Sequence, residues 1–72
     1  MKYQLPDLIR MNFARSRSEA ERMVKNGKVR VNGKKVYDAE MLIEPGYDTE
    51  IEITVGNRDY KKPALVLEGD RA

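Results

Sequence analysis

Apolar residues in the first part of the chain recur at intervals of three and four, the spacing of an amphipathic helix. They are Leu5, Leu8, Ile9 and Phe13. Pro6 suits the first helical turn, where its missing N–H has no partner to lose, and Asp7 complements the positive end of the helix dipole. The pattern predicts a first helix over residues 6–12.

A second helix is predicted from the residues that cap it. Ser16 and Glu19 form an S-x-x-E capping box, in which Ser16 Oγ accepts the Glu19 amide and the Glu19 carboxylate returns to the Ser16 amide. Gly27 suits the left-handed position just beyond a helix end, so we expect this helix over residues 17–26. Its apolar stripe is Ala20, Met23 and Val24. An overlapping box, Ser18 and Glu21, leaves the first helical residue open.

A β-hairpin is predicted over residues 28–36, where apolar and polar residues alternate. Val29 and Val31 face one way, and Lys28, Arg30 and Asn32 face the other. Asn32-Gly33 is the strongest two-residue hairpin signal, because both residues tolerate the positive φ of a type I′ turn. That turn places Arg30 opposite Lys35.

The second half of the chain predicts further strands. Pro45-Gly46 is typical of a type II turn. Alternation of Ile51, Ile53 and Val55 with polar residues predicts a half-buried strand at about 49–55. Gly56-Asn57 favours a second hairpin turn, after which a strand resumes at Tyr60 and extends to about residue 67. Pro63 in that segment indicates an edge strand or a bulge.

The chain has 72 residues, which suffices for a single domain, 1–72, with one modest core. It contains no cysteine and no histidine, which excludes disulfides, thiolate zinc sites and the usual nucleophilic triads. Its apolar runs are too short for a membrane span or a signal peptide, so we expect a cytoplasmic protein without a cofactor.

Charge is distributed unevenly along the chain. Residues 1–36 contain ten Lys/Arg and three Asp/Glu, whereas residues 37–72 contain four and nine. Such asymmetry favours a polyanion-binding face, although a solvated surface with segregated charges is the simpler alternative. The cations outside the predicted core of the helix–hairpin segment are Arg15, Arg17, Arg22, Lys25, Lys28, Arg30, Lys34 and Lys35.

Two details favour phosphate binding over a solvated face. Arg30 and Lys35, as directly opposed cross-strand partners, repel each other unless an anion lies across them. The amide-rich start of the second helix, residues 16–18, is an anion site with Arg15 and Arg17 beside it, and Ser18 could donate to a phosphate oxygen.

Carboxylates and tyrosines carry weaker signals. Glu50 and Glu52 are most simply the solvent face of a strand, and the acidic residues at 38, 40, 44 and 48 lack the spacing of a calcium loop. The four tyrosines are scattered, and we expect most of them in the core or at its rim. Tyr37 directly follows the basic hairpin and could stack on a base.

The segment "SRSEAERMVKNGKVRVNGKKV", residues 16–36, resembles the core motif of the RNA-binding domain first named for small-subunit ribosomal protein S-four, also called the alpha-L motif. That pattern has a Ser-Arg or Ser-Lys start, Glu-Ala, an apolar helix, a glycine and a Val-x-Val-Asn-Gly hairpin. Glu21 departs from it, since the family commonly has a basic residue there.

The resemblance implies an α+β fold of two short N-terminal helices packed on a small, mostly antiparallel sheet. It implies a non-catalytic module that uses the start of the second helix and the hairpin to bind structured RNA, either tRNA or rRNA. Ser16, Ser18 and Asn32 would then assist the cations with hydrogen bonds to the RNA backbone.

The ending "VGNRDYKKPALV" is similar to the C-terminal domain of bacterial-type tyrosyl-tRNA synthetases. The resemblance leaves the chain either free-standing or part of a larger parent protein, such as a tyrosyl-tRNA synthetase or a pseudouridine synthase, whose active site lies elsewhere. An alternative is a basic module that meets an acidic protein or an anionic surface. A membrane is disfavoured, because membrane binding needs an exposed apolar stripe beside the cations, and the core uses the stripes seen here.

Overall fold

Two helices and six short strands make up residues 1–66, the part of the chain that this computed structural model describes. The helices are α1 (Leu5–Phe13) and α2 (Arg17–Lys25). The strands are β1 (Tyr3–Gln4), β2 (Val29–Val31), β3 (Lys34–Lys35), β4 (Leu42–Ile43), β5 (Gly46–Val55) and β6 (Arg58–Ala64). The predicted strand residue Leu67 lies outside the described residues.

Helix α1 begins and ends for identifiable reasons. Pro6 occupies its first turn together with Asp7, as the sequence predicted. The helix ends at Ala14, which adopts a left-handed conformation (φ 56°, ψ 39°) and donates its N–H to Arg10 O at 3.1 Å. This residue turns the chain towards α2.

Capping residues delimit α2 at both ends. Ser16 Oγ accepts the Glu19 amide at 3.1 Å, which confirms the predicted N-cap. The reciprocal half of the capping box is wrong, because the Glu19 carboxylate accepts from Arg15 Nη1 at 3.1 Å instead. At the other end Gly27, with φ 72°, closes the helix, since its N–H and that of Lys28 bond back to the last turn at 3.1 and 2.9 Å.

Four strands form an antiparallel sheet in the order β3–β2–β5–β6. The type I′ hairpin is confirmed: Asn32 and Gly33 both have positive φ, and Arg30 lies opposite Lys35. The side chain and backbone of Asn32 then bind both backbone groups of Glu50 at 2.8 Å, which fixes the turn on β5. A separate two-stranded pair, β1–β4, covers one end.

The second half differs from the prediction at one turn. No turn closes at Pro45-Gly46; Gly46 instead begins β5, whose pairing with β6 is irregular between Gly46 and Glu50. The Gly56-Asn57 turn joins β5 to β6 as expected, with Val55 opposite Arg58. Pro63 lies on the edge strand β6, where a missing N–H is tolerated.

The helices cover one face of the sheet and bury a small core. Its buried hydrophobic residues are Leu5, Leu8, Ile9, Ala20, Val24, Val29, Val36, Ile43, Ile51, Ile53 and Ala64. The tyrosines were expected in the core or at its rim; Tyr3 packs against the core, whereas Tyr37, Tyr47 and Tyr60 are exposed. No helix within residues 1–66 is long and apolar enough to cross a membrane.

Asn12 is the one buried polar side chain among residues 1–66. Its Nδ2 donates to Leu8 O at 2.8 Å and to Leu65 O at 2.9 Å, and its Oδ1 accepts from Leu65 N at 3.3 Å. The amide therefore pairs with the segment after β6 as a neighbouring strand would, and it fastens the end of β6 to α1.

Candidate nucleic-acid interface

The second half of α2 and the hairpin present a set of unpartnered cations. These side chains are exposed and, within residues 1–66, have no hydrogen bond or ion pair. They are Arg22, Lys25, Lys28, Lys34 and Lys35, and we call them the free cations. They come from α2, the link between α2 and β2, and β3. All five are among the cations that the sequence predicted to lie outside the core.

A groove runs between α2 and the β5–β6 turn, and two of the free cations line it. We call it the basic groove; it is lined by Glu19, Arg22, Met23, Asn26, Lys28, Thr54, Val55 and Gly56. Its geometry is fixed by the closure of α2 at Gly27 and by a hydrogen bond of 2.8 Å from Thr54 N to Lys28 O. Arg22 and Lys28 are therefore held at the wall of a concave surface, where both can reach one anionic strand.

Lys34 and Lys35 flank the sheet edge at β3. Consecutive strand residues point to opposite faces, so these two lysines do not share a face. They line a second groove, which we call the hairpin groove, together with Val31, Asn32, Val36 and Met41. The hairpin thus adds charge at the edge of the sheet, and the predicted cations occupy more than one face.

Arg15 and Arg17 are held by carboxylates of the chain itself. Arg15 pairs with Glu19 at 3.1 Å. Arg17 binds Asp7 Oδ1 and Gln4 Oε1, both at 2.5 Å, and approaches Glu21 at 3.5 Å. The hydrogen bond to Asp7 raises the pKa of Arg17 above its ordinary value. Arg17 therefore links the start of α2 to the start of α1, a contact that the sequence did not predict.

Arg30 lies in a row of charges that crosses the outer face of the sheet. The register aligns Lys35, Arg30, Glu52 and Lys61 across the four strands. A carboxylate thus stands on the side of Arg30 opposite Lys35, which reduces the repulsion expected from the hairpin pair alone. The guanidinium itself donates to Thr54 Oγ1 at 3.4 Å, and Thr54 donates to Asp59 at 2.6 Å.

The predicted polar site residues also divide into those held by contacts within the chain and one without such a contact. Ser16 is occupied as the N-cap of α2, and the Oδ1 of Asn32 is occupied by the Glu50 amide. Ser18 is exposed at the first turn of α2, and its hydroxyl has no partner within residues 1–66. Of the three side chains, Ser18 is the one without a hydrogen bond within residues 1–66, whereas Ser16 and Asn32 each accept a backbone amide.

Sequence reasoning missed the cations of β6. Arg58, Lys61 and Lys62 are exposed on this edge strand, and Lys61 extends the row that contains Arg30. The signal was the run "RDYKK". Because this run lies in the acidic half of the chain, its cations were not assigned to the basic surface. The hairpin register brings this run beside the acidic strand β5.

The acidic residues between 38 and 48 have local structural roles. Asp38 caps the turn at Glu40 through a hydrogen bond of 2.9 Å, and Glu44 pairs with the amino terminus at 3.1 Å. Among residues 1–66 no three carboxylates are grouped to hold a metal ion.

Two comparisons with known proteins bear on this surface. The chain matches the S4 domain over residues 5–48, a range that includes α1, α2 and the hairpin. It is also similar to the small ribosomal subunit protein uS4A of Myxococcus xanthus (strain DK1622), with 34% identity over 61 residues. That match covers 85% of this chain but 28% of the relative, so the chain spans under a third of the relative's length.

Proposed function

Because the chain belongs to the S4 domain family, we propose that it is a non-catalytic module that binds structured RNA through the basic groove and the adjoining hairpin. The observation that carries this proposal is the set of five free cations on one contiguous segment of chain, two of them in the basic groove. Cations without protein partners lose no ion pair when they bind phosphate, so their full charge is available to the ligand.

The eleven predicted site residues then have graded roles. The free cations contact phosphates directly, and Ser18 donates to a phosphate oxygen at the start of α2. Arg30 contributes through the guanidinium edges that Thr54 leaves open. Arg15, Arg17, Ser16 and Asn32 chiefly hold the α2 start and the hairpin turn in place, with contacts to RNA as a secondary role.

Recognition by this surface follows the shape of the RNA more than its base sequence. Lysine and arginine contacts to the backbone carry no base information, and the basic groove offers few groups that distinguish base edges. Two RNA classes remain. The ribosomal relative supports rRNA, and the similarity of residues 55–66 to tyrosyl-tRNA synthetases supports tRNA. With either RNA, the chain acts alone or within a larger parent protein.

A second candidate function is binding to an acidic protein or an anionic surface. The observation in its favour is Met41, which is partly exposed and lines the hairpin groove beside Lys34 and Lys35. Leu42 next to it is 56% exposed. An apolar residue beside two lysines is the combination that such partners recognise.

The deciding experiment is a binding panel at two salt concentrations. Its RNAs are a tRNA, an rRNA helix junction and an unstructured single strand, and anionic vesicles are added as a separate arm. We expect the two structured RNAs to bind more tightly than the single strand, with weaker binding at higher salt. Lys28→Ala should weaken binding, and Lys2→Ala, which removes an exposed cation outside the grooves, should not. Binding to vesicles with no binding to any RNA would overturn the proposal.

A further inference from the structure

A third concave surface lies on the helix side of β6 and is distinct from both grooves described above. We call it the aromatic cleft; it is lined by Phe13, Arg15, Ile53, Tyr60 and Lys62. Phe13 ends α1, Arg15 follows in the link before α2, and the other three residues come from β5 and β6. The sequence alone did not indicate that these five residues form one site.

Tyr60 is an aromatic residue on the core face of the sheet that the helices leave uncovered. It pairs in register with Ile53, whose side chain is 1% exposed, so both belong to the face that the helices cover. Tyr60 is nevertheless 43% exposed. Because α1 ends at Phe13, no helix of residues 1–66 extends over this end of β6, and Tyr60 forms an open aromatic wall of the cleft.

Two cations border the apolar part of the cleft. The Lys62 ammonium lies 5.6 Å from the centre of the Phe13 ring, a cation–π contact that holds its charge at the rim. Arg15 is fixed at the other side by its 3.1 Å bond from Nη1 to Glu19, and its remaining N–H groups have no partner within residues 1–66. An apolar floor with an aromatic wall and two positive rims is complementary to a planar base joined to a phosphate.

The cleft adjoins the basic groove. Glu19 lines the basic groove, and Arg15, which lines the cleft, is bonded to Glu19. An RNA backbone that lies along Arg22 and Lys28 therefore passes close to the cleft. We infer that the aromatic cleft binds one unpaired nucleotide, such as a bulged or terminal one, by stacking its base on Tyr60 and pairing its phosphate with Arg15 and Lys62.

This inference rests on the proposed function and makes that function more specific. Backbone contacts alone treat a fully paired helix and a helix with a bulge nearly alike. Stacking on an aromatic side chain is available only to an unpaired base, and one such contact changes affinity by roughly 5- to 150-fold. The cleft therefore predicts a preference for helices that carry an unpaired nucleotide.

The test compares two short blunt-ended RNA duplexes that differ by one nucleotide. One has a single bulged 2-aminopurine, and the other is fully paired with 2-aminopurine inside the duplex. We expect the wild-type protein to bind the bulged RNA at least about fivefold more tightly and to change the fluorescence of the bulged base on binding. Tyr60→Ala should remove that preference while binding to the paired RNA persists, and Tyr60→Phe should keep it.

Tyr47→Ala is the matched control, because Tyr47 is an exposed tyrosine of β5 that does not line the cleft. Its bulge preference should equal that of the wild type, and thermal melts should show that all three variants fold. Equal wild-type binding to the two RNAs would overturn the inference and leave the proposed function intact. A preserved preference in Tyr60→Ala would overturn it as well. Failure of the wild type to bind either RNA would overturn the proposed function and the inference together.

Discussion

At Ala14 the backbone adopts a left-handed conformation that side chains with a Cβ adopt only at a cost. The residue is exposed, so its methyl group contributes no buried contact. Replacement by glycine removes the strain and adds conformational entropy to the unfolded chain, and the first effect is the larger. We expect Ala14→Gly to raise the free energy of unfolding by about 0.5–1 kcal/mol.

The measurement for Ala14→Gly is a denaturant titration, with a thermal melt alongside. A gain of that size raises the melting temperature by a few degrees in a domain this small. Ala39→Gly is the control, because Ala39 is half-buried and does not have a positive φ, so its replacement should destabilise. A loss of stability in Ala14→Gly would contradict the assignment of strain to this residue.

Asn12 is the second residue whose environment predicts a clear effect. Its side-chain amide satisfies both backbone groups of Leu65, and no helix or strand bond replaces them when the amide is removed. Asn12→Ala should therefore lower the free energy of unfolding by about 1–3 kcal/mol. A denaturant titration checks this, with Asn57→Ala in the exposed hairpin turn as a control that should change stability by less than about 0.5 kcal/mol.

These residues show what a sequence reveals at this scale. Ser16, Gly27, Asn32 and Gly33 were predicted correctly, because capping and turn positions depend on a few neighbouring residues. Asn12 and Ala14 were not. The partner of Asn12 is 53 residues away, and alanine gives no signal for a left-handed conformation. Local chemistry was predictable, and contacts between distant segments were not.

At the scale of the elements, α2 and the hairpin act as one unit whose two ends differ. The start of α2 is attached to α1 through Arg17 and its bonds to Asp7 and Gln4. The second half of α2 carries the unpartnered Arg22 and Lys25, and Lys28 follows directly. These cations look equivalent in the sequence, because the carboxylate that pairs with Arg17 most closely lies in another element.

This difference predicts that one alanine variant mainly weakens RNA binding and the other mainly lowers stability. Lys28→Ala should weaken RNA binding by roughly five- to tenfold near 0.1 M salt, the contribution of one phosphate contact, and leave the thermal melt unchanged. Arg17→Ala should lower the melting temperature by a few degrees at most, because its ion pairs are exposed, and weaken RNA binding by less than Lys28→Ala does.

The measurements are thermal melts and RNA titrations of both variants under the same buffer conditions. Arg22→Ala removes another of the free cations, and like Lys28→Ala it should weaken RNA binding and leave the thermal melt unchanged. A larger loss of RNA affinity in Arg17→Ala than in Lys28→Ala would show that the start of α2, and not the basic groove, is the main anion site.

Across the whole molecule, the sheet partly offsets the charge asymmetry between the two halves of the chain, because it pairs strands from both halves. Pairing of β5 with β2 and β6 brings Glu52 between Arg30 of the first half and Lys61 of the second. The α+β fold itself was predicted, since helical and twofold periods, the capping box and the Asn-Gly turn all agree with one architecture. The sequence did not predict the strand order, the cleft beside β6 or the distribution of the free cations over two grooves. These features depend on the register between segments that are far apart in the chain.

The salt dependence of RNA affinity tests the central claim most directly. If the free cations neutralise about four phosphates, a plot of log affinity against log salt concentration has a slope near −3 to −4. Lys28→Ala should make that slope less negative by about 1, and Lys2→Ala should leave it unchanged. A slope near zero for the wild type, or equal slopes for the wild type and Lys28→Ala, would contradict the assignment of this surface to phosphate binding.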